Sequence, residues 1–278
     1  MHPHVDARIG IVFADGEQLD DKSTKQRFHL ILIAKNETGY KNLMYLSSMS
    51  YIEGFYYYPR INKKILKEHS EGLVCSSACL QGEVSWHLNL SDRNVKFGAK
   101  GYERAKEVAL EYKEIFGDDF YLEIMRHGIG DQKRIDDDIL RIAKETGIKV
   151  IATNDTHYTF KERADAHEVF MCIAMNKTLD DPNRLRHSVH EFFVKSKEQM
   201  SELFLDIPEV IENTQEIVDK CNLEIKLGNP TPPNFKFTLE YAKERNLTLP
   251  EPENRYSFKN DAVFFEYECR KGLEERLK

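Results

Sequence analysis

The most informative stretch of the sequence is residues 148–158, where an apolar strand pattern ends at two side chains that bind metals well. The β-branched residues at its start predict a buried strand, and Asp155 and His157 follow that strand directly. At the carboxyl end of a parallel strand, where α/β folds hold their chemistry, a carboxylate and a neutral imidazole are natural ligands for a divalent metal ion. We therefore predict a metal site here. The alternative is a capped strand end, with the aspartate in an Asx turn and the histidine packed on the surface.

Four further residues are candidates for the same region of the molecule. Cys79 ends an apolar segment and would be a metal ligand as a thiolate, although most free cysteines are buried small hydrophobes. His29 lies inside an apolar strand and becomes a ligand only if it faces the interior beside the others. Arg60 and His127 are candidates for contact with phosphate or DNA, although such side chains are more often solvated in loops.

The elements that must position these residues alternate between strands and helices. Strands are predicted at 28–34, 72–79, 120–125 and 148–153, and helices at 39–50, 101–116 and 131–146. The segment 120–153 is one strand–helix–strand unit, so its two strands should be parallel and end at the same edge. That edge would hold both 126–128 and 154–158. The pattern indicates an α/β fold, as part of an α/β barrel or of a doubly wound sheet.

The chain becomes helical after residue 160. Helical patterns cover 164–175, a segment that starts at a capping box at Ser196, and 209–221 after Pro208. The segment 228–234 is rich in glycine, proline and asparagine, and we place a domain boundary there. Residues 1–228 are thus predicted as one domain, and 229–278 as a linker that leads into a terminal helix.

Composition limits the classes of function. The 278 residues carry a net charge of −7, so the chain as a whole is not a basic DNA clamp, and another part of a larger protein would have to bring DNA to it. No run of 18 apolar residues predicts a membrane span, and the N-terminus has no secretory signal pattern. Five cysteines without a Cys-x-x-Cys pair favour a reduced, cytoplasmic setting. No P-loop, dinucleotide fingerprint or serine nucleophile elbow is present.

The chain resembles the PHP (polymerase and histidinol phosphatase) domain of the alpha subunit of bacterial DNA polymerase III. The likeness covers roughly residues 27–235 in family order, and it is carried by the segments 29–43 (HLILIAKNETGYKNL), 53–60 (EGFYYYPR), 70–80 (SEGLVCSSACL), 152–158 (ATNDTHY) and 178–186 (TLDDPNRLR).

This resemblance implies a fold, a metal site and a reaction. The fold would be a partial PHP-type distorted (β/α)7 barrel followed by a helical tail. His29, Cys79, Asp155 and His157 match family positions that bind a divalent metal, which would be zinc, manganese or magnesium. PHP domains that keep all their ligands resemble metal-dependent phosphoesterases and can act as 3′→5′ exonucleases. Others resemble a non-catalytic scaffold that supports the polymerase and docks a proofreading subunit.

The sequence departs from the family pattern before His29. The family begins with an H-x-H strand, followed by an aspartate, a second histidine and a glutamate, and His2 and His4 do not replace them. The resemblance therefore implies a fragment of a DNA-directed DNA polymerase, a nucleotidyltransferase of DNA replication, that begins inside the barrel and ends as the palm region begins. The fragment would hold an incomplete metal site, and whether it is itself an enzyme stays open.

The resemblance implies two kinds of partner, which are DNA, reached through the parent polymerase, and the other subunits of the polymerase III holoenzyme. No membrane partner is expected. A stand-alone phosphatase of the histidinol-phosphate type is a weaker alternative, because the segment 178–186 and the palm-like tail argue against it.

Overall fold

The computed structural model describes residues 9–11, 27–225, 227, 228, 238, 240 and 261–278. Contacts along the chain divide it into two units, Met1–Glu224 and Ile225–Lys278. The predicted boundary at 228 lies close to this division, while the predicted linker lies almost entirely outside the described residues. The second unit contains the predicted terminal helix, Asp261–Arg276, here called α10.

A mixed β-sheet forms the centre of the first unit. Its strands lie side by side in chain order, β1–β5, and are β1 (Ile9–Ile11), β2 (Phe28–Ala34), β3 (Leu73–Ser76), β4 (Phe120–Ile124) and β5 (Lys149–Ala152). The pair β4–β5 is parallel, as predicted for the strand–helix–strand unit 120–153, and the pair β3–β4 is also parallel. The pairs β1–β2 and β2–β3 are antiparallel.

Helices connect the strands and follow them. They are α1 (Glu37–Ile52), α2 (Lys63–Glu68), α3 (Glu83–Leu88), α4 (Asp92–Lys96), α5 (Tyr102–Phe116), α6 (Gly130–Thr146), α7 (Ala164–Ala174), α8 (Lys197–Leu203) and α9 (Glu209–Lys220). Local signals set their ends. The Asn36 side chain accepts from the Gly39 amide at the start of α1, Gly147 ends α6 in the left-handed conformation, and the predicted capping box at Ser196 starts α8.

One apolar core joins the sheet to these helices. Every residue of β4 is buried, which is typical of a central strand covered on both faces. The apolar face of α5 packs into the core through Val108 and Ala109, and that of α6 through Ile139 and Ile142. The result is a mixed α/β fold, as predicted. Among the described residues, the structure contains no helix long and apolar enough to cross a membrane.

The direction of β2 decides where His29 lies. The connection from β2 to β3 contains two helices, α1 and α2, and brings the chain back to the edge that β2 left, where the Lys35 amide donates to the Gly72 carbonyl at 2.8 Å. Because β2 is therefore antiparallel to β3, its amino end lies at the edge where β3, β4 and β5 have their carboxyl ends. His29 reaches that edge from the start of its strand, and its amide donates to the Gln81 carbonyl at 3.0 Å.

A tight loop after β3 holds Cys79 at the same edge. The loop closes on Gly82, whose amide donates to the Cys79 carbonyl at 2.8 Å. A Cβ atom on Gly82 would lie only 1.9 Å from the Ser77 carbonyl oxygen, so any side chain there must displace the backbone of the loop.

We expect Gly82→Ala to lower the free energy of unfolding by about 1–3 kcal/mol, because it overpacks a backbone contact that cannot yield. Urea unfolding of the full chain measures this change. Gly130→Ala is the matched control, because a Cβ there would meet only the end of the Arg134 side chain, at 3.8 Å. Equal stability of the two variants would contradict the close approach.

Candidate metal centre

A cavity of about 480 Å³ opens at the shared edge of the sheet. Three of the four predicted metal ligands, His29, Cys79 and Asp155, line it together with Glu123. They come from the start of β2, the loop after β3, the loop after β5 and the middle of β4. Segments that are far apart in the sequence therefore meet at this edge of the sheet, where the metal site was predicted.

His29 and Cys79 form a close pair in this cavity. The His29 Nδ1 atom lies 3.7 Å from the Cys79 Sγ atom. Burial, with a smaller effect from the negative charges of Asp155 and Glu123, raises the pKa of the Cys79 thiol to about 11, although a backbone hydrogen bond at Gln81 opposes the shift. The thiol is thus protonated at neutral pH. A divalent cation in the cavity would reverse this, because a coordinating thiol loses its proton to the metal.

Asp155 and His157 form the second pair. The His157 Nε2 atom lies 3.6 Å from the Asp155 Oδ2 atom. Asp155 has φ of +37°, a strained conformation for a residue with a side chain, of the kind that clusters at functional sites. The ring of His157 packs edge-on against Phe192 and does not line the cavity. The structure therefore brings three of the predicted ligands into one cavity and places the fourth beside one of them.

Glu123 is the residue of this site that sequence reasoning missed. Its side chain is buried, and its carboxylate accepts hydrogen bonds from the Ser76 hydroxyl at 2.5 Å, from the Ala78 amide at 3.1 Å and from the Thr153 hydroxyl. Burial raises its pKa, and the hydrogen bonds from Ser76 and Thr153 oppose that shift. The available signal was a single carboxylate inside the otherwise apolar strand Phe-Tyr-Leu-Glu-Ile.

The donor set of the cavity fits a divalent metal ion. An imidazole, a thiol and a carboxylate together are the ligand types that zinc takes, whereas magnesium is bound almost only by oxygen. The buried carboxylate of Glu123 adds negative charge beside these donors. Among the ions that the resemblance implies, the chemistry of these residues favours zinc.

Arg60 and His127 lie outside the lining of the cavity. Arg60 is buried, and its Nε atom donates to the Gly54 carbonyl at 3.0 Å. The buried His127 forms a 2.9 Å hydrogen bond from Nε2 to the Asn154 carbonyl, and burial lowers its pKa. This bond confirms that the segments 126–128 and 154–158 share one edge. Both side chains are engaged with the protein, and a phosphate or DNA contact by either stays a prediction.

A cluster of three histidines lies next to Asp155. His157, His167 and His187 each offer a ring nitrogen, and these atoms all lie within 4.8 Å of one another. Burial lowers the pKa of both His167 and His187, and the neighbouring histidines lower it further. Sequence reasoning did not single out His167 or His187, because their spacing from His157 matches no local ligand pattern.

Comparison with known proteins gives a family match that contains three of the residues lining the cavity. The profile of the PHP domain matches residues 4–127, which include His29, Cys79 and Glu123. The chain carries a PHP domain. Cys79 and His29 thus lie within the matched region, while Asp155 and the three histidines follow it.

The relatives extend the likeness along the chain. DNA polymerase III subunit alpha of Campylobacter jejuni is 74% identical over 263 residues, which are 94% of this chain and 22% of that relative. The subunit of the same name from Helicobacter pylori strain 26695 is 61% identical over 94% of this chain and 21% of the relative. The one from Thermus aquaticus is 40% identical over 73% of this chain and 16% of the relative. The predicted resemblance is confirmed, and the chain spans about a fifth of the length of the first two relatives.

We expect Glu123→Ala to lower the free energy of unfolding by roughly 2–4 kcal/mol, because three buried donors lose their acceptor. Glu123→Gln should lower the free energy of unfolding by less, because the amide oxygen of glutamine can still accept a hydrogen bond from these donors. Urea unfolding measures both changes. Glu71→Ala, at an exposed loop position, is the control, and its free energy of unfolding should change by less than about 0.5 kcal/mol.

The same network predicts a pH dependence. Because the folded-state pKa of Glu123 is raised, the folded protein binds more protons there than the unfolded chain, so this group's contribution to stability falls as pH rises from about 4.3 through the folded pKa. Glu123→Gln should remove that part of the fall. An unchanged pH profile in the variant would contradict the raised pKa.

Proposed function

We propose that the cavity holds a divalent metal ion and that this site acts on phosphoesters within a longer, polymerase-type protein. The observation that carries the proposal is the convergence of His29, Cys79 and Asp155, from three separate segments, in one cavity lined by ligand types that suit zinc. His157, beside Asp155, completes the predicted ligand set. The PHP domain match and the relatives support the same chemistry.

The side chains of this chain would divide the work of the site. A bound metal ion supplies a Lewis acid that activates water and offsets charge on a phosphodiester. His29, Cys79 and Asp155 would hold the ion, and the Cys79 thiol would give up its proton on coordination. Glu123 holds the loops that carry Cys79 and Asp155 at a fixed separation. The His157 imidazole, 3.6 Å from Asp155, would be the fourth ligand.

The substrate and setting follow from the relatives and remain part of the proposal. In the longer protein the site would hydrolyse a DNA 3′ end as a 3′→5′ exonuclease, and the polymerase, a DNA-directed DNA polymerase, would work in DNA replication in the cytoplasm. The net charge of −7 does not attract a nucleic-acid backbone, so other parts of the protein would deliver the DNA. The remaining subunits of the polymerase III holoenzyme would be its protein partners.

A second candidate function is a scaffold without catalysis. The observation that favours it is the outer face of α7, where Val169, Phe170 and Ile173 are all exposed. Large apolar side chains that cluster on a surface often mark a contact with another protein segment. In this reading the domain supports the polymerase and docks a proofreading subunit.

Metal analysis of this chain beside the longer subunit tests the proposal. We expect the longer protein to retain a stoichiometric divalent metal ion and to hydrolyse DNA 3′ ends. We expect this chain to bind metal at the cavity more weakly than the longer protein and to hydrolyse little. In both proteins Cys79→Ser and Asp155→Asn should weaken metal binding at the cavity by at least about tenfold.

Cys269→Ser is the matched control, because that thiol is exposed and belongs to the second unit. A longer protein without metal would overturn the proposal in favour of the scaffold. Stoichiometric metal with robust 3′-end hydrolysis by this chain alone would contradict the weaker binding expected of it.

A further inference from the structure

Three histidines from separate segments meet beside the cavity. His157 follows β5, His167 lies on α7, and His187 lies in the loop that follows that helix. Their ring centroids are 4.9 Å apart for His157 and His187, and 5.5 Å apart for the other two pairs. All three side chains are half-buried, so the cluster is accessible from solvent.

The surrounding structure holds this arrangement in place. Arg184 donates to Glu168 on α7 at 2.9 Å, which ties the loop that carries His187 to the helix that carries His167. The His157 amide donates to the Phe192 carbonyl at 2.8 Å, which ties the third segment to the end of the same loop. The Phe192 ring lies 4.4 Å from that of His187 and forms an apolar floor.

His167 adds an independent observation. Its Nδ1 atom is buried and has no hydrogen-bond partner within the part of the chain that the structure describes. A buried polar atom without a partner costs free energy, so such an atom in a native structure calls for a ligand or an ordered water molecule. A metal ion bound by the cluster through this atom would provide one.

We propose that His157, His167 and His187 bind a transition-metal ion through three imidazoles, at a site separate from the cavity. Three imidazole ligands with an open fourth position suit Zn²⁺, and imidazole also suits copper and nickel. Zn–N bonds of about 2.0–2.1 Å place the nitrogens of a tetrahedral ion about 3.3 Å apart. The nitrogens must therefore close by about 1.5 Å at most, a distance that rotation of the rings about their side-chain bonds provides.

This inference goes beyond the proposed function, because two of its ligands, His167 and His187, take no part in the cavity. His157 is common to both ligand sets and lies at their boundary, 3.6 Å from Asp155. The cavity site uses a thiol and the histidine site does not, so the two sites differ in the spectrum of a bound ion.

Titration of the full chain with Co²⁺ tests the histidine site. In a Cys79→Ser background we expect one equivalent of Co²⁺ to bind, with d–d absorption and no thiolate charge-transfer band. His167→Gln and His187→Gln in that background should each weaken binding by at least about tenfold. His190→Gln is the matched control, because this nearby histidine is exposed and outside the cluster, and its affinity should not change.

Unchanged Co²⁺ affinity in the His187→Gln variant, or complete loss of Co²⁺ binding in Cys79→Ser alone, would overturn the inference. Far-ultraviolet circular dichroism shows whether each variant is folded. Copper electron paramagnetic resonance of the Cys79→Ser chain gives a readout that does not depend on the histidine variants. Coupling to three nitrogens is expected, and coupling to fewer than three would contradict the site.

Discussion

The buried carboxylate of Glu123 is the interaction on which the cavity depends. It accepts from Ser76 at the end of β3, from Ala78 in the loop after β3 and from Thr153 in the segment after β5, and its own backbone amide donates to the Ser77 hydroxyl at 2.9 Å. One side chain in the central strand thus joins the two loops that carry Cys79 and Asp155. Without it, buried donors on both sides would lack acceptors, and the two predicted ligands would lose their common support.

The electrostatics of the cavity would favour a bound cation. Asp155 and Glu123 each raise the pKa of the Cys79 thiol, and Asp155 also raises the pKa of Glu123. Like charges held close together in a buried place oppose one another, and a divalent cation among them removes that cost. The same groups that make the cavity unfavourable for a thiolate would therefore favour a bound metal.

Local patterns in the sequence predicted much of this arrangement. The apolar run before Asp155 predicted β5, the helix at 131–146 predicted the parallel pairing of β4 and β5, and Ser196 predicted the start of α8. These features depend on neighbouring residues or on the handedness of one crossover. The position of Cys79 at the same edge followed from the resemblance and from the strand that precedes it.

Features that depend on contacts between residues far apart in the sequence could not be predicted from local sequence patterns. The antiparallel direction of β2 results from a two-helix connection, and it places His29 at the edge from the start of a strand. Glu123 looks like an interruption of an apolar strand until the loops on both sides are in place. His167 and His187 meet His157 only because the loop after α7 folds back on that helix, a contact that Arg184 and Glu168 secure.

Near-ultraviolet absorption of the full chain during titration with Co²⁺ tests most directly whether the cavity binds a divalent metal ion through Cys79. We expect a saturable thiolate-to-cobalt charge-transfer band that disappears in Cys79→Ser and persists in Cys269→Ser. A titration without that band, or a band that survives in Cys79→Ser, would contradict it.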